Sequence, residues 1–239
     1  MNGKKTPSSP IPPACDPGAE SDAPLRNLSG AVIARDVVTI RRILIRTTAE
    51  RGFLPMWTTL VVPVLDWVDD GRNSEAAEAS VRIFTECVTG VLSTMTLDAP
   101  IGGGRRVLLA RVPSEGSDPT HPPGVCEGSD PRGGDLEFRA LGAALATASV
   151  DTRMATPGYR SALLAAVANA EPDVVVLWLT SGGGDLSSLV RAIRRRRTGL
   201  TILVGGPGRQ VEGLPRSVTV LGALDDTVGA VAALVRAVT

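Results

Sequence analysis

Histidine is almost absent from this sequence: His121 is the one example in 239 residues, and the three cysteines, Cys15, Cys87 and Cys126, stand far apart. A zinc site assembled from several imidazole or thiolate ligands is excluded, and a disulfide framework is not expected. Aromatic residues are scarce too, with three Phe, three Trp and one Tyr. The core must be built from Ala, Val and Leu. Neither sign of charge dominates, because 25 Lys and Arg balance 25 Asp and Glu, so no global field attracts nucleic acid. There is no stretch of about 18 apolar residues, and no membrane span is expected. Residues 1–28 hold Lys4 and Lys5 but also six prolines and hardly an apolar run, which is not the make-up of a secretory signal. These absences point to a soluble, cytoplasmic protein with reduced cysteines.

What is present is a globular balance of 43% hydrophobic and 21% charged residues, unevenly arranged. Residues 1–28, rich in Pro, Ser and Asp, bury too little to offset their ordering entropy and are expected to be a disordered arm. Val32, Val37, Ile40, Ile43 and Leu44 then recur at helical spacing, predicting one helix from Ser29 to Glu50 that ends at Gly52. Trp57, Leu60, Val61, Val64, Leu65 and Val68 mark a second helix with a kink at Pro63. A third runs from Ser74 to Met95, capped by Asn73 or Ser74. Residues 29–98 read as a small helical bundle, and the Gly-rich run around residues 99–105 as a linker.

From residue 106 to 239 short apolar strands alternate with helices. Strands are expected at Val107–Val112, Val150–Met154, Asp173–Thr180, Leu200–Val204 and Val218–Leu221, with helices ending near Ala148 and spanning Tyr159–Ala170, Leu186–Arg196 and Asp226–Val238. The fold class is therefore α/β: a helical bundle followed by a doubly wound, five-stranded parallel sheet. Ligands of such sheets sit beyond the carboxyl ends of the strands, which directs attention to the loops at 113–134, 180–185 and 205–213.

Several strings in those loops carry possible chemistry. Asp118-Pro119-Thr120-His121-Pro122-Pro123-Gly124 places an imidazole three residues before a glycine, and reads either as a solvated loop histidine or as a metal ligand. Trp178-Leu179-Thr180 ends the most apolar strand, where Trp178 serves as core filling, pocket wall or stacking platform. Gly205-Gly206 follows the next strand and suits a tight turn or a close ligand approach equally well. Glu115-Gly116-Ser117-Asp118-Pro119 recurs as Glu127-Gly128-Ser129-Asp130-Pro131, so the His121 loop carries a tandem duplication. Arg191 and Arg194 to Arg197 form a dense basic cluster that reads as helix-end placement and solubility, since no aromatics interleave and no helix-turn-helix precedes the bundle. A Gly-x-Ser-x-Gly elbow is absent, and an enzyme is not expected.

This order of bundle, Gly linker and α/β unit resembles the cobalamin (B12)-binding module of corrinoid proteins and B12-dependent light-sensing regulators. The similarity runs through Leu54-Pro55-Met56-Trp57, Pro63-Val64-Leu65, Gly71 and Ala77-Glu78-Ala79 in the bundle, then Val107-Leu108-Leu109-Ala110, Val112-Pro113-Ser114-Glu115, Glu171-Pro172-Asp173-Val174-Val175 and Val204-Gly205-Gly206-Pro207. The resemblance implies cobalamin as cofactor, His121 as its axial metal ligand within His-x-x-Gly124, Trp178, Thr180, Gly205 and Gly206 around its nucleotide tail, and Trp67 and Glu78 above the corrin. Departures accompany it. Asp118 lies one residue too far from His121, the upper His position is Ala79, and Trp178 stands where the family has a small hydroxyl residue. With 26 residues between Trp178 and Gly205, the glycine pair keeps the family spacing. The resulting expectation is a nonenzymatic regulatory or sensory protein acting through a protein partner, without a DNA-binding domain of its own. The alternatives are a module for another small ligand or a structural heteromeric partner, and a corrinoid carrier for methyl transfer.

Overall fold

The computed structural model describes residues 23–70, 75–97, 105–113, 134–180, 185–207, 214–215 and 218–236. His121, Gly124, the duplicated segment, the Gly-rich linker and the proposed Asn73 or Ser74 cap lie outside the described residues.

The first helix, α1 (Ala23–Ile33), begins inside the stretch expected to be disordered. Leu28, Ala31 and Val32 are buried, and Leu25 packs against the same core, so the apolar spacing starts one turn earlier than Leu28. Pro24 does not prevent this, because a first-turn residue needs no amide donor. The single helix expected over 29–50 is in fact two, α1 and α2 (Val37–Arg51). Arg35 adopts φ 55°, and the amide of Asp36 donates to the carbonyl of Ala31 at 2.9 Å, closing α1 with a left-handed cap made without glycine.

Asp36 then opens α2 as its N-cap. One carboxylate oxygen accepts the Thr39 amide at 3.0 Å, and the other accepts the Thr39 hydroxyl at 2.6 Å. The hydroxyl bond first, and the amide bond second, lower the pKa of Asp36. A depressed carboxyl stabilises the fold above its unfolded pKa and loses that contribution as pH falls through the folded one. Asp36→Ala should therefore lower the melting temperature at pH 7, and the gap to the wild type should close as the pH falls below the ordinary carboxyl value of 3.8 and through the lowered one. A gap that kept its size over that fall would remove the capping explanation.

After Gly52, whose amide donates to Thr48 at 2.9 Å, the chain continues as α3 (Phe53–Met56), a π turn at Trp57–Val61 and α4 (Val62–Asp70). Pro63 has no amide to give the ladder, and the widened turn immediately before it absorbs the misfit. The predicted kink is this π turn, where Val62 donates to the carbonyl of Trp57. The long α5 (Glu75–Leu97) completes the helical layer.

The sheet comprises β1 (Val107–Arg111), β2 (Thr152–Ala155), β3 (Val174–Trp178), β4 (Thr201–Gly205) and β5 (Thr219–Val220), all parallel in the order β2-β1-β3-β4-β5. Strand β2 lies a little later than its apolar residues suggested, because Ser149 at φ 59° and Val150 complete the turn out of the preceding helix. Helices α6 (Gly134–Thr147), α7 (Arg160–Ala170), α8 (Leu186–Arg196) and α9 (Leu224–Arg236) connect and cover the strands.

Alternation along each strand sorts the core into two layers. Val107, Leu109, Val174, Val176, Trp178 and Leu203 face α6, α9 and the N-terminal helices. Leu108, Ala110, Val175, Leu177, Ile202 and Val204 face α7 and α8. Because α5 packs on α6, the helical layer and one face of the sheet share a continuous core. Among the described residues, no helix is long and apolar enough to cross a membrane.

Candidate functional site at the carboxyl edge of the sheet

From β1 the chain turns outward to β2, and from β2 it crosses back to β3 on the other side of β1. The crevice of this order therefore opens between the carboxyl ends of β1 and β3. The segment containing His121 leaves the sheet there, after Val112 and Pro113, and the turn at Thr180 leaves it beside β3.

Register brings Trp178 next to Arg111 on one side and Gly205 on the other. The strand ends are tightly laddered: Val112 donates to the carbonyl of Trp178 at 2.9 Å, and Leu179 to that of Gly205 at 2.8 Å. Trp178 is 2% exposed and belongs to the core layer beneath α6 and α9. A Cβ added at Gly205 would lie 3.1 Å from Cζ3 of its ring. The ring thus occupies the space that the missing side chain leaves. Gly206 has φ 109°, and a Cβ there would meet the backbone of Leu179, 2.8 Å from its nitrogen. Gly206 is thus required by the protein's own backbone, and Gly205 lies in close contact with the indole. Spacing alone left turn and ligand approach equal; in the structure Gly206 turns the chain out of β4 and Gly205 abuts the indole.

One polar atom in this packing is left over. Nε1 of Trp178 is buried and finds no acceptor among the described residues. Such an orphaned donor costs roughly 1–3 kcal/mol, so the indole is held by shape rather than by its N–H. Thr180, two residues on, is half-buried at the crevice.

A charged group that sequence reading passed over stands at the same edge. Arg111, the last residue of β1, contacts Asp135 in the first turn of α6 at 3.0 Å, and Arg139 contacts the other oxygen at 3.2 Å. One carboxylate shared by two guanidiniums leaves the edge cationic. The sequence signal, an Asp-x-x-x-Arg pair at helical spacing, was visible at 135 and 139, but its third member depended on the fold.

The bundle residues lie apart from this cluster. Trp67 is 37% exposed on α4, and Glu78 is exposed on α5. Gly90 to Met95 of α5 stand beside Ala146 to Ser149, where α6 ends at the amino side of the sheet. The opposite end of α5, with Glu78 and Ala79, therefore points toward the carboxyl side. Glu78 and the crevice share one end of the molecule, while Trp178, Gly205 and Gly206 are directly joined.

The residues at the β3–β4 edge do not fit an inserted ligand tail. The tail that the family resemblance places beside Gly205 would need room that the Trp178 ring fills. Among the described residues there is also no group of three or more His, Cys, Asp or Glu side chains able to hold a metal ion.

No protein-family model matches the sequence, and no curated protein matches it. Among solved structures, the chain is similar to the methanol:cobalamin methyltransferase complex MtaBC from Methanosarcina barkeri. The identity is 11% and the TM-score 0.41, with 92% of this chain and 81% of that chain covered.

Proposed function

We propose that this chain is a nonenzymatic regulatory module on a cobalamin-binding type of fold, working through a protein partner, with the tail site closed by its own tryptophan. The observation that carries the reading is the Trp178 ring seated over Gly205. A carrier depends on a cofactor held firmly through its whole length, whereas a scaffold for protein contact needs only its outer helices.

The second reading is a corrinoid carrier for methyl transfer. It is favoured by the His121-x-x-Gly124 string, which follows β1 in the sequence and carries the imidazole that the family resemblance makes a metal ligand. The two readings separate in one experiment. Protein mixed in the dark with hydroxocobalamin and then desalted should be colourless under the regulatory reading. A retained corrin band that shifts in His121→Ala would establish ligation and overturn the closed tail site on which the regulatory reading stands.

A further inference from the structure

Helix α2 is apolar on two opposite sides. Ile40, Leu44 and Thr47 are buried in the core, whereas Val38 and Ile45, half a turn of the helix away, are 64% and 58% exposed. Ile33 and Val37 are exposed just before them, so four of the seven large exposed apolar side chains among the described residues fall within residues 33–45. Beside this stripe, α2, α5 and the end of α6 enclose a groove of about 840 Å³, lined by Ile45, Thr48, Val91, Met95 and Thr147 with Arg41 at its rim. The groove lies at the amino side of the sheet, away from the crevice.

Its charge is one-sided. Residues 23–51 contain six arginines and two acids in a chain that is neutral as a whole. Arg41 and Arg42 flank the exposed stripe, and no carboxylate within salt-bridge distance of either is found among the described residues. A second copy docked through the same face about a twofold axis would bring these arginines against their own counterparts, which is unfavourable. Carboxylates on a different chain complement them.

We propose that the outer face of α2 and its groove against α5 dock an acidic amphipathic helix of a protein partner. The inference rests on the reading that the chain acts through such a partner, and it names the partner's chemistry. Apolar side chains at i, i+4 and i+7 would lie along Val38, Ile45 and the groove, with Glu or Asp on the flanks meeting Arg41 and Arg42.

The test uses the full chain and two labelled, helix-stabilised peptides of about 18 residues, each with Leu anchors at that spacing, one flanked by Glu and the other by Lys. Fluorescence anisotropy should show the Glu peptide binding at least about tenfold more tightly than the Lys peptide. Ile45→Glu and Arg42→Glu alter exposed positions and should leave the circular dichroism spectrum unchanged, and each should weaken the Glu peptide about tenfold or more. Arg195→Glu, in the other basic cluster, should leave its affinity unchanged. The proposal is overturned by no binding of the Glu peptide, by equal binding of both peptides, or by indifference to Ile45→Glu and Arg42→Glu. It is also overturned by a dimer in sedimentation that Ile45→Glu dissociates, which would give this face to a second copy. Corrin retention would remove the regulatory reading without touching the peptide result, so the two failures are distinguishable.

Discussion

Trp178→Ser is expected to destabilise the chain by about 3–5 kcal/mol, the range for truncating a fully buried large aromatic. The ring is held between the end of β1, Gly205 and the layer under α6 and α9, and serine leaves that space empty. Denaturant unfolding measures the loss. Trp178→Phe separates shape from polarity, because it keeps most of the ring and removes the orphaned N–H. Its cost should stay below about 1.5 kcal/mol, since a buried donor without a partner contributes nothing favourable. A phenylalanine variant as unstable as the serine variant would mean that Nε1 is hydrogen-bonded after all.

Gly206→Ala is the second large effect. A methyl group at this position must enter the backbone of Leu179, and the residue must hold φ 109°, outside the range that L side chains adopt readily. Strain of this kind costs about 1–3 kcal/mol before any displacement of neighbours, and displaced backbone adds to it. Loss of 3 kcal/mol or more is expected. Gly205→Ala should be milder, because its Cβ meets the edge of the Trp178 ring at 3.1 Å and the ring can give by a few tenths of an ångström. If Gly206→Ala were harmless, the turn would be free to rearrange and the closed edge would no longer follow.

Much of this architecture was legible in the sequence because it depends on period and punctuation. Alternating apolar residues and buried runs located all five strands to within a few residues, Gly52 marked a helix end where the structure has one, and Pro63 marked an irregularity that the structure places just before it as a π turn. The break at Arg35 was not legible, since a left-handed cap at an arginine carries no glycine or proline signal. The start of α1 was hidden by prolines, although Pro24 occupies a first turn that accepts it. At the crevice the sequence named Trp178, Gly205 and Gly206, but that Gly205 lies against the Trp178 ring follows from the pairing of β3 with β4, a register that no local pattern contains. The same holds for the Arg111–Asp135–Arg139 cluster, which joins a strand end to a helix start across a long loop.

The claim at the centre of this account is that the indole of Trp178 closes the β3–β4 edge to a corrinoid's nucleotide tail. Its most direct test is the affinity of the wild-type chain for cobalamin measured against the same corrinoid lacking its nucleotide tail. The account predicts that cobalamin binds no more tightly than the tail-less form. A preference of about tenfold or more for cobalamin, abolished when Gly205 is changed to alanine, would contradict it.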